Sequence, residues 1–89
     1  MQTDLHAEVV RTAPLNEMAR MIMRDWKPMY FGAVPYVQAM LSLENLSSKY
    51  IAEDGRTIVA YFLGNAQTWK GPVARAVKAE LKRRLKECK

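Results

Sequence analysis

Cysteine and histidine are almost missing from this chain: there is one of each, Cys88 and His6, at opposite ends of 89 residues. A zinc site draws on about four ligands, so neither a structural nor a catalytic zinc centre is expected. The same scarcity argues against Cys–His or Ser–His nucleophilic chemistry. A single thiol permits no internal disulfide. Cys88 reads as a small apolar residue on a helix face rather than a reactive group. Long apolar stretches are missing too. The longest, Ile58 to Leu63, falls far short of the ~18 residues of a membrane span. The opening MQTDLHAEVV is polar, without the apolar core of a signal peptide. These absences predict a soluble cytoplasmic protein in a reducing compartment, with no membrane partner.

Catalytic motifs are equally scarce. The stretch GNAQTWKG, Gly64 to Gly71, lacks the residue order of a phosphate loop. Glu53 and Asp54 are adjacent carboxylates ahead of a predicted helix. They read as a cap with dipole compensation, because an acid–base pair normally converges from different elements. The expectation is a protein that is not an enzyme and takes no cofactor.

What is present describes one small folded domain spanning residues 1–89. The chain is 49% hydrophobic and 26% charged, which is globular rather than disordered composition. The net charge of +5 is unevenly placed. Residues 70–89 hold eight basic and two acidic side chains, +6, so residues 1–69 sum to −1. The basic character belongs to the last segment, KGPVARAVKAELKRRLKECK. Turning it by about 100° per residue sorts its side chains by face. Val73, Ala74, Val77, Leu81, Leu85 and Cys88 share an arc of roughly 120°, the width of a core-facing stripe. Arg75, Lys78, Lys82, Lys86 and Lys89 share roughly 80° on the other side. Glu80 with Arg84, and Arg83 with Glu87, are i,i+4 pairs on the flanks. Pro72 suits the first turn.

Proline, glycine and serine cut the rest into helix-length pieces. Residues 3–11 read as a short helix capped by Thr3. Residues 14–26 read as a helix with Leu15, Met18, Ala19, Ile22 and Trp26 inward, ended by Lys27-Pro28. A third runs from about Val34 to Leu46 with Pro35 in its first turn, followed by a loop or single turn over 47–53. Asp54 caps a fourth through about Ala66. Its centre, IVAYFL, also suits a strand, but no other segment offers a convincing strand partner. Its apolarity all round predicts burial on most sides. The predicted fold is all-α: a compact bundle of four or five short helices. Its core is Leu15, Met18, Ile22, Trp26, Tyr36, Val37, Met40, Leu41, Ile58, Tyr61, Phe62, Val77, Leu81 and Leu85. Met21, Met23 and Met29 fit that core less well and point to an apolar surface patch.

The pieces WKPMYFGAVPYVQAM, GRTIVAYFLGNAQTWKG and ARAVKAELKRRL resemble segments of small uncharacterised bacterial and prophage-type proteins, over roughly Trp26 to Leu85. That resemblance implies a small bacterial or phage-encoded helical domain, and it brings no site residues with it.

Two partner classes remain open. One is a protein partner, met by exposed aromatic anchors among Tyr30, Phe31 and Trp69 or by the basic face, since Trp, Tyr and Arg dominate interface hot spots. The other is nucleic acid, with Arg75, Lys78, Lys82, Lys86 and Lys89 on phosphates and Trp69 available for base stacking. The bland reading of the same features is a solvated lysine face and aromatics that staple helices together. A helix-turn-helix over 54–89 is disfavoured, because the first turns of its second helix hold one good base reader, Arg75.

Overall fold

The computed structural model describes residues 5–51 and 53–87. The predicted Thr3 cap, Cys88 and Lys89 lie outside them. Among the described residues there are five α-helices: α1 (Leu5–Thr12), α2 (Leu15–Asp25), α3 (Val34–Met40), α4 (Gly55–Gly64) and α5 (Pro72–Glu87). A 3-10 turn, Phe31–Ala33, leads into α3, and a small antiparallel pair, β1 (Lys49–Tyr50) and β2 (Glu53–Asp54), precedes α4. The predicted all-α architecture is what forms, with this two-strand pair as the one non-helical pairing among the described residues. α5 packs against α1, α2 and α4, and α3 packs against α2 and α4.

Helix α2 follows its pattern. Leu15, Met18, Ala19 and Ile22 are buried on one stripe, and the Trp26 N–H bonds the Ile22 carbonyl to close the last turn. α3 stops at Met40, six residues before the expected end. Past Met40 the backbone tightens to i,i+3 bonds, from Ser42 N to the Ala39 carbonyl and from Leu43 N to the Met40 carbonyl, and side-chain bonds then take over from the helix. Asn45 Oδ1 accepts from the backbone N–H groups of Ser47 and Ser48, and Ser48 Oγ accepts from those of Glu44 and Asn45. Leu43 and Leu46 are still buried, carried inward by this coil.

The 47–53 segment is a correction. Lys49 pairs with Asp54 and Tyr50 with Glu53, around a turn that begins at Ile51. Two-residue strands carry little sequence signal, so a loop was the natural expectation. Ile51 sits at φ +58°, in a region that β-branched residues rarely adopt. It is 88% exposed.

Asp54 caps α4 as expected. Its Oδ1 accepts from Thr57 N at 3.0 Å and Thr57 Oγ1 at 3.1 Å. The backbone bond first, then the hydroxyl, holds its carboxyl below the usual value. Gly55 is required by close approach. A Cβ there would lie 2.7 Å from the Asn45 carbonyl oxygen and 2.9 Å from Leu46 Cα. Both atoms are backbone, so neither yields readily. Gly55→Ala is expected to cost about 1–3 kcal/mol in urea unfolding, the range for forced overpacking.

Ten of the fourteen predicted core residues are buried: Leu15, Met18, Ile22, Trp26, Val37, Met40, Ile58, Phe62, Val77 and Leu81. Tyr36, Leu41 and Leu85 are half-buried. Tyr61 is 54% exposed, so α4 is not covered all round. Met21 and Met29 are half-buried against the core, and Met23 is exposed.

Candidate docking surface

Trp69 corrects the expectation of an exposed anchor. It is 2% exposed. Its ring stacks on Trp26, centroids 5.6 Å apart and planes 12° off parallel, and it meets Phe62 edge-on at 6.3 Å. Its indole N–H donates to Asp25 Oδ2 at 2.9 Å. A ring held this way cannot stack on a base.

Helix α5 also departs from a uniform basic face. Arg75, Lys82 and Lys86 are exposed. Lys78 is half-buried, and its Nζ donates to the Ala66 carbonyl oxygen at 2.7 Å. It ties α5 to the turn that follows α4. Burial first, then the charges of Lys70 and Lys82, push its ammonium below the usual lysine value. Lys78 thus serves the fold.

On another side of α5, Glu80 is 5% exposed. It accepts from Arg83 Nε and Nη2 at 3.0 and 2.6 Å and from Arg84 Nε at 2.7 Å. Arg84 Nη2 continues to the Val10 and Arg11 carbonyl oxygens at 2.8 and 3.2 Å. These carbonyls belong to the last turn of α1, where a cation is favoured. Arg83 also pairs with Glu87 at 2.9 Å. The two expected i,i+4 pairs both form, but Glu80 is the buried hub of a network that clamps α1 onto α5. The Arg83 bond, ahead of the Arg84 bond and against the effect of burial, holds the Glu80 carboxyl below its usual value.

Tyr30 and Phe31 behave differently. Phe31 is 80% exposed and Tyr30 44%. Their rings lie 5.0 Å apart. The 3-10 turn that bears Phe31 holds Tyr30 back over Gly32: a Cβ on Gly32 would lie 2.6 Å from Tyr30 Cε2 and 3.0 Å from Asn65 Oδ1. Gly32 is therefore the close contact that brings Tyr30 to the end of α4. There Asn65 Nδ2 donates to the Tyr61 carbonyl oxygen at 2.8 Å. The exposed Tyr61 ring stacks on Tyr36 of α3 at 5.6 Å. Phe31 with Tyr30 at the 3-10 turn, and Tyr61 with Tyr36 across α3 and α4, thus form two aromatic pairs, together termed the aromatic ledge. Beside it runs a shallow groove lined by Tyr30, Gly64, Asn65, Gln67 and Thr68.

Tyr61, Asn65, Gln67 and Thr68 were not read from sequence as surface-site residues. Tyr61 carried a usable signal. On a helical wheel it stands about 110° from the centre of the Gly55, Ile58, Val59 and Phe62 stripe. Among the described residues no group of three His, Cys, Asp or Glu side chains comes together to hold a metal. No helix among them is long and apolar enough to cross a membrane.

The class these features define is a small, mostly helical domain with a solvent-facing aromatic ledge and a clamped basic helix. Compared with protein-family models, curated proteins and solved structures, the chain matches none.

Proposed function

We propose that the chain is a small bacterial or phage-encoded interaction module, non-enzymatic, that docks a protein partner through the aromatic ledge. The observation that carries this reading is Phe31: a large apolar ring 80% exposed and paired with Tyr30. Keeping such rings in water has no value to the fold, whereas aromatic side chains are enriched at the buried centres of interfaces. The rings of the ledge are also held in place, Tyr30 against Gly32 and Tyr61 stacked on Tyr36, so little ordering cost remains for association.

A second reading keeps nucleic acid as partner, through the exposed Arg75, Lys82 and Lys86. Burial of Trp69 and tethering of Lys78 weaken it. Three phosphate contacts would give a slope near −3 in log affinity against log salt on duplex DNA.

The test is differential capture. Phe31→Glu is expected to leave stability within about 0.5 kcal/mol, as for an exposed site, and to lose the partner. Lys82→Glu with Lys86→Glu is expected to keep it. Partner retained by Phe31→Glu and lost by the lysine pair would reject the ledge in favour of the basic face.

A further inference from the structure

We infer that the cleft between α1 and α5 is a binding site for a small phosphate monoester, held between the guanidiniums of Arg11 and Arg75. This site does not depend on the ledge, none of whose residues lines the cleft.

The cleft has two adjoining parts that share Arg11, Glu80 and Arg83 as lining. The inner part has a volume of about 290 Å³. The buried Val10 and Ala76, with Ala79, give it an apolar floor. The small alanines explain the space: where α1 packs on α5, their side chains are too short to fill it. Arg11 of α1 and Arg75 of α5, both exposed, line the same inner part.

The charge of these two arginines is left over by the fold. Among the described residues neither forms an ion pair. Glu80, the one carboxylate lining the inner part among those residues, is already held by Arg83 and Arg84. Arg83 is committed to Glu80 and Glu87. Glu8 lines only the outer part, of about 560 Å³, and makes no ion pair with Arg11 although it lies one turn away. The clamp on α1 is complete without either arginine, since it is Arg84 that bonds the Val10 and Arg11 carbonyls.

Two guanidiniums from different helices therefore line one small cavity and repel each other across it. A bound dianion offsets both charges. Guanidinium forks match phosphate oxygens in bidentate pairs. The inner part is near the lower end of the ~300–1,000 Å³ usual for small-ligand sites. It suits the phosphate, and the outer part, with the Thr12 hydroxyl on its wall, has room for the rest of the ligand.

The test uses the full chain and two probes of one shape, phenyl phosphate and the singly charged benzenesulfonate, at fixed ionic strength. Calorimetry gives the affinity, and backbone amide shifts give the location. Arg11→Gln and Arg75→Gln each remove one charge from an exposed position. Ala79→Leu fills the cavity without altering its charge. The expected result is saturable binding of phenyl phosphate with shifts at Val10, Arg11, Ala76 and Ala79. The unfolding midpoint should rise with ligand, because a ligand that binds only the native chain stabilises it. Each arginine variant should weaken affinity about tenfold or more, the effect of losing one charge-assisted contact. Ala79→Leu should abolish the shifts, and benzenesulfonate should bind about tenfold more weakly or worse. Phe31→Glu should bind phenyl phosphate as the native chain does, so the cleft and the ledge stand or fall separately.

Equal affinity for benzenesulfonate would overturn the phosphate and leave an apolar cavity. Affinity weaker than about 1 mM would overturn the site. So would shifts at Lys82 and Lys86 that persist in the two arginine variants. Single-stranded DNA bound at the same residues more tightly than phenyl phosphate would overturn the small ligand in favour of nucleic acid.

Discussion

Trp69→Ala is expected to destabilise the domain by about 3–5 kcal/mol, the range for truncating a buried tryptophan. The side chain is among the largest of those fully enclosed. It joins three parts of the fold at once. Its face lies on Trp26 at the end of α2, its edge meets Phe62 of α4, and its own backbone belongs to the turn leading into α5. Removal would leave a cavity where these meet, and a rigid stack cannot collapse to fill it. Small domains are stable by only about 5–15 kcal/mol in total, so the variant would sit near the edge of folding at 25 °C. Trp69→Phe separates packing from polarity. It keeps most of the buried ring and loses the bond to Asp25 Oδ2. Because Asp25 is exposed and water can replace the lost donor, that variant should lose only about 1 kcal/mol beyond the packing change. Urea unfolding of both variants checks this. A loss under 1 kcal/mol for Trp69→Ala would mean the tryptophan is not the joint described.

Glu80→Gln is expected to cost about 3 kcal/mol, the lower end for removing one partner of a buried ion pair. The carboxylate is enclosed and holds two guanidiniums, one of which caps α1. The amide keeps one acceptor oxygen in place of two and carries no charge, so the bond from Arg83 Nε is lost and Arg84 is left half-buried without its counter-charge. α1 should loosen first, because Arg84 reaches its last carbonyls. The same network gives a pH dependence with a defined sign. The folded-state value of Glu80 is depressed by Arg83 and Arg84. Its contribution is therefore fully present above the unfolded glutamate value of about 4.3 and lost as pH falls through the lower folded value. Stability of the wild-type chain should fall below about pH 4.5, and Glu80→Gln should flatten that part of the curve. Parallel curves for the two proteins would exclude the carboxylate as the source.

Much of the fold was legible because local signals and packing agree. Leu15, Met18 and Ile22 lie on one helical stripe and are buried. Pro35 and Pro72 sit in first turns, and Asp54 forms the cap its position invites. The IVAYFL run is a helix, as the lack of a strand partner implied. What failed depended on neighbours that sequence periodicity does not reveal. Glu80 stands about 90° from the centre of the α5 apolar stripe, a flank position on an isolated helix. It is buried because α1 lands on that flank, beside Ala76. Lys78 belongs to the basic arc by spacing, yet the turn after α4 offers it a carbonyl. Trp69 looked like a free aromatic at a break, and its partner Trp26 is 43 residues away. The exposed Tyr30 and Phe31 were visible as aromatics around Pro28. That they face solvent while Trp69 does not follows from the 3-10 turn and Gly32, which no periodicity encodes.

The central claim is that the ledge, and not the outer face of α5, meets the partner. Hydroxyl-radical footprinting of the free and partner-bound chain tests it most directly. Phe31, Tyr30 and Tyr61 should lose reactivity on binding, because their exposed rings become buried. Unchanged reactivity of all three in the bound chain would contradict the account.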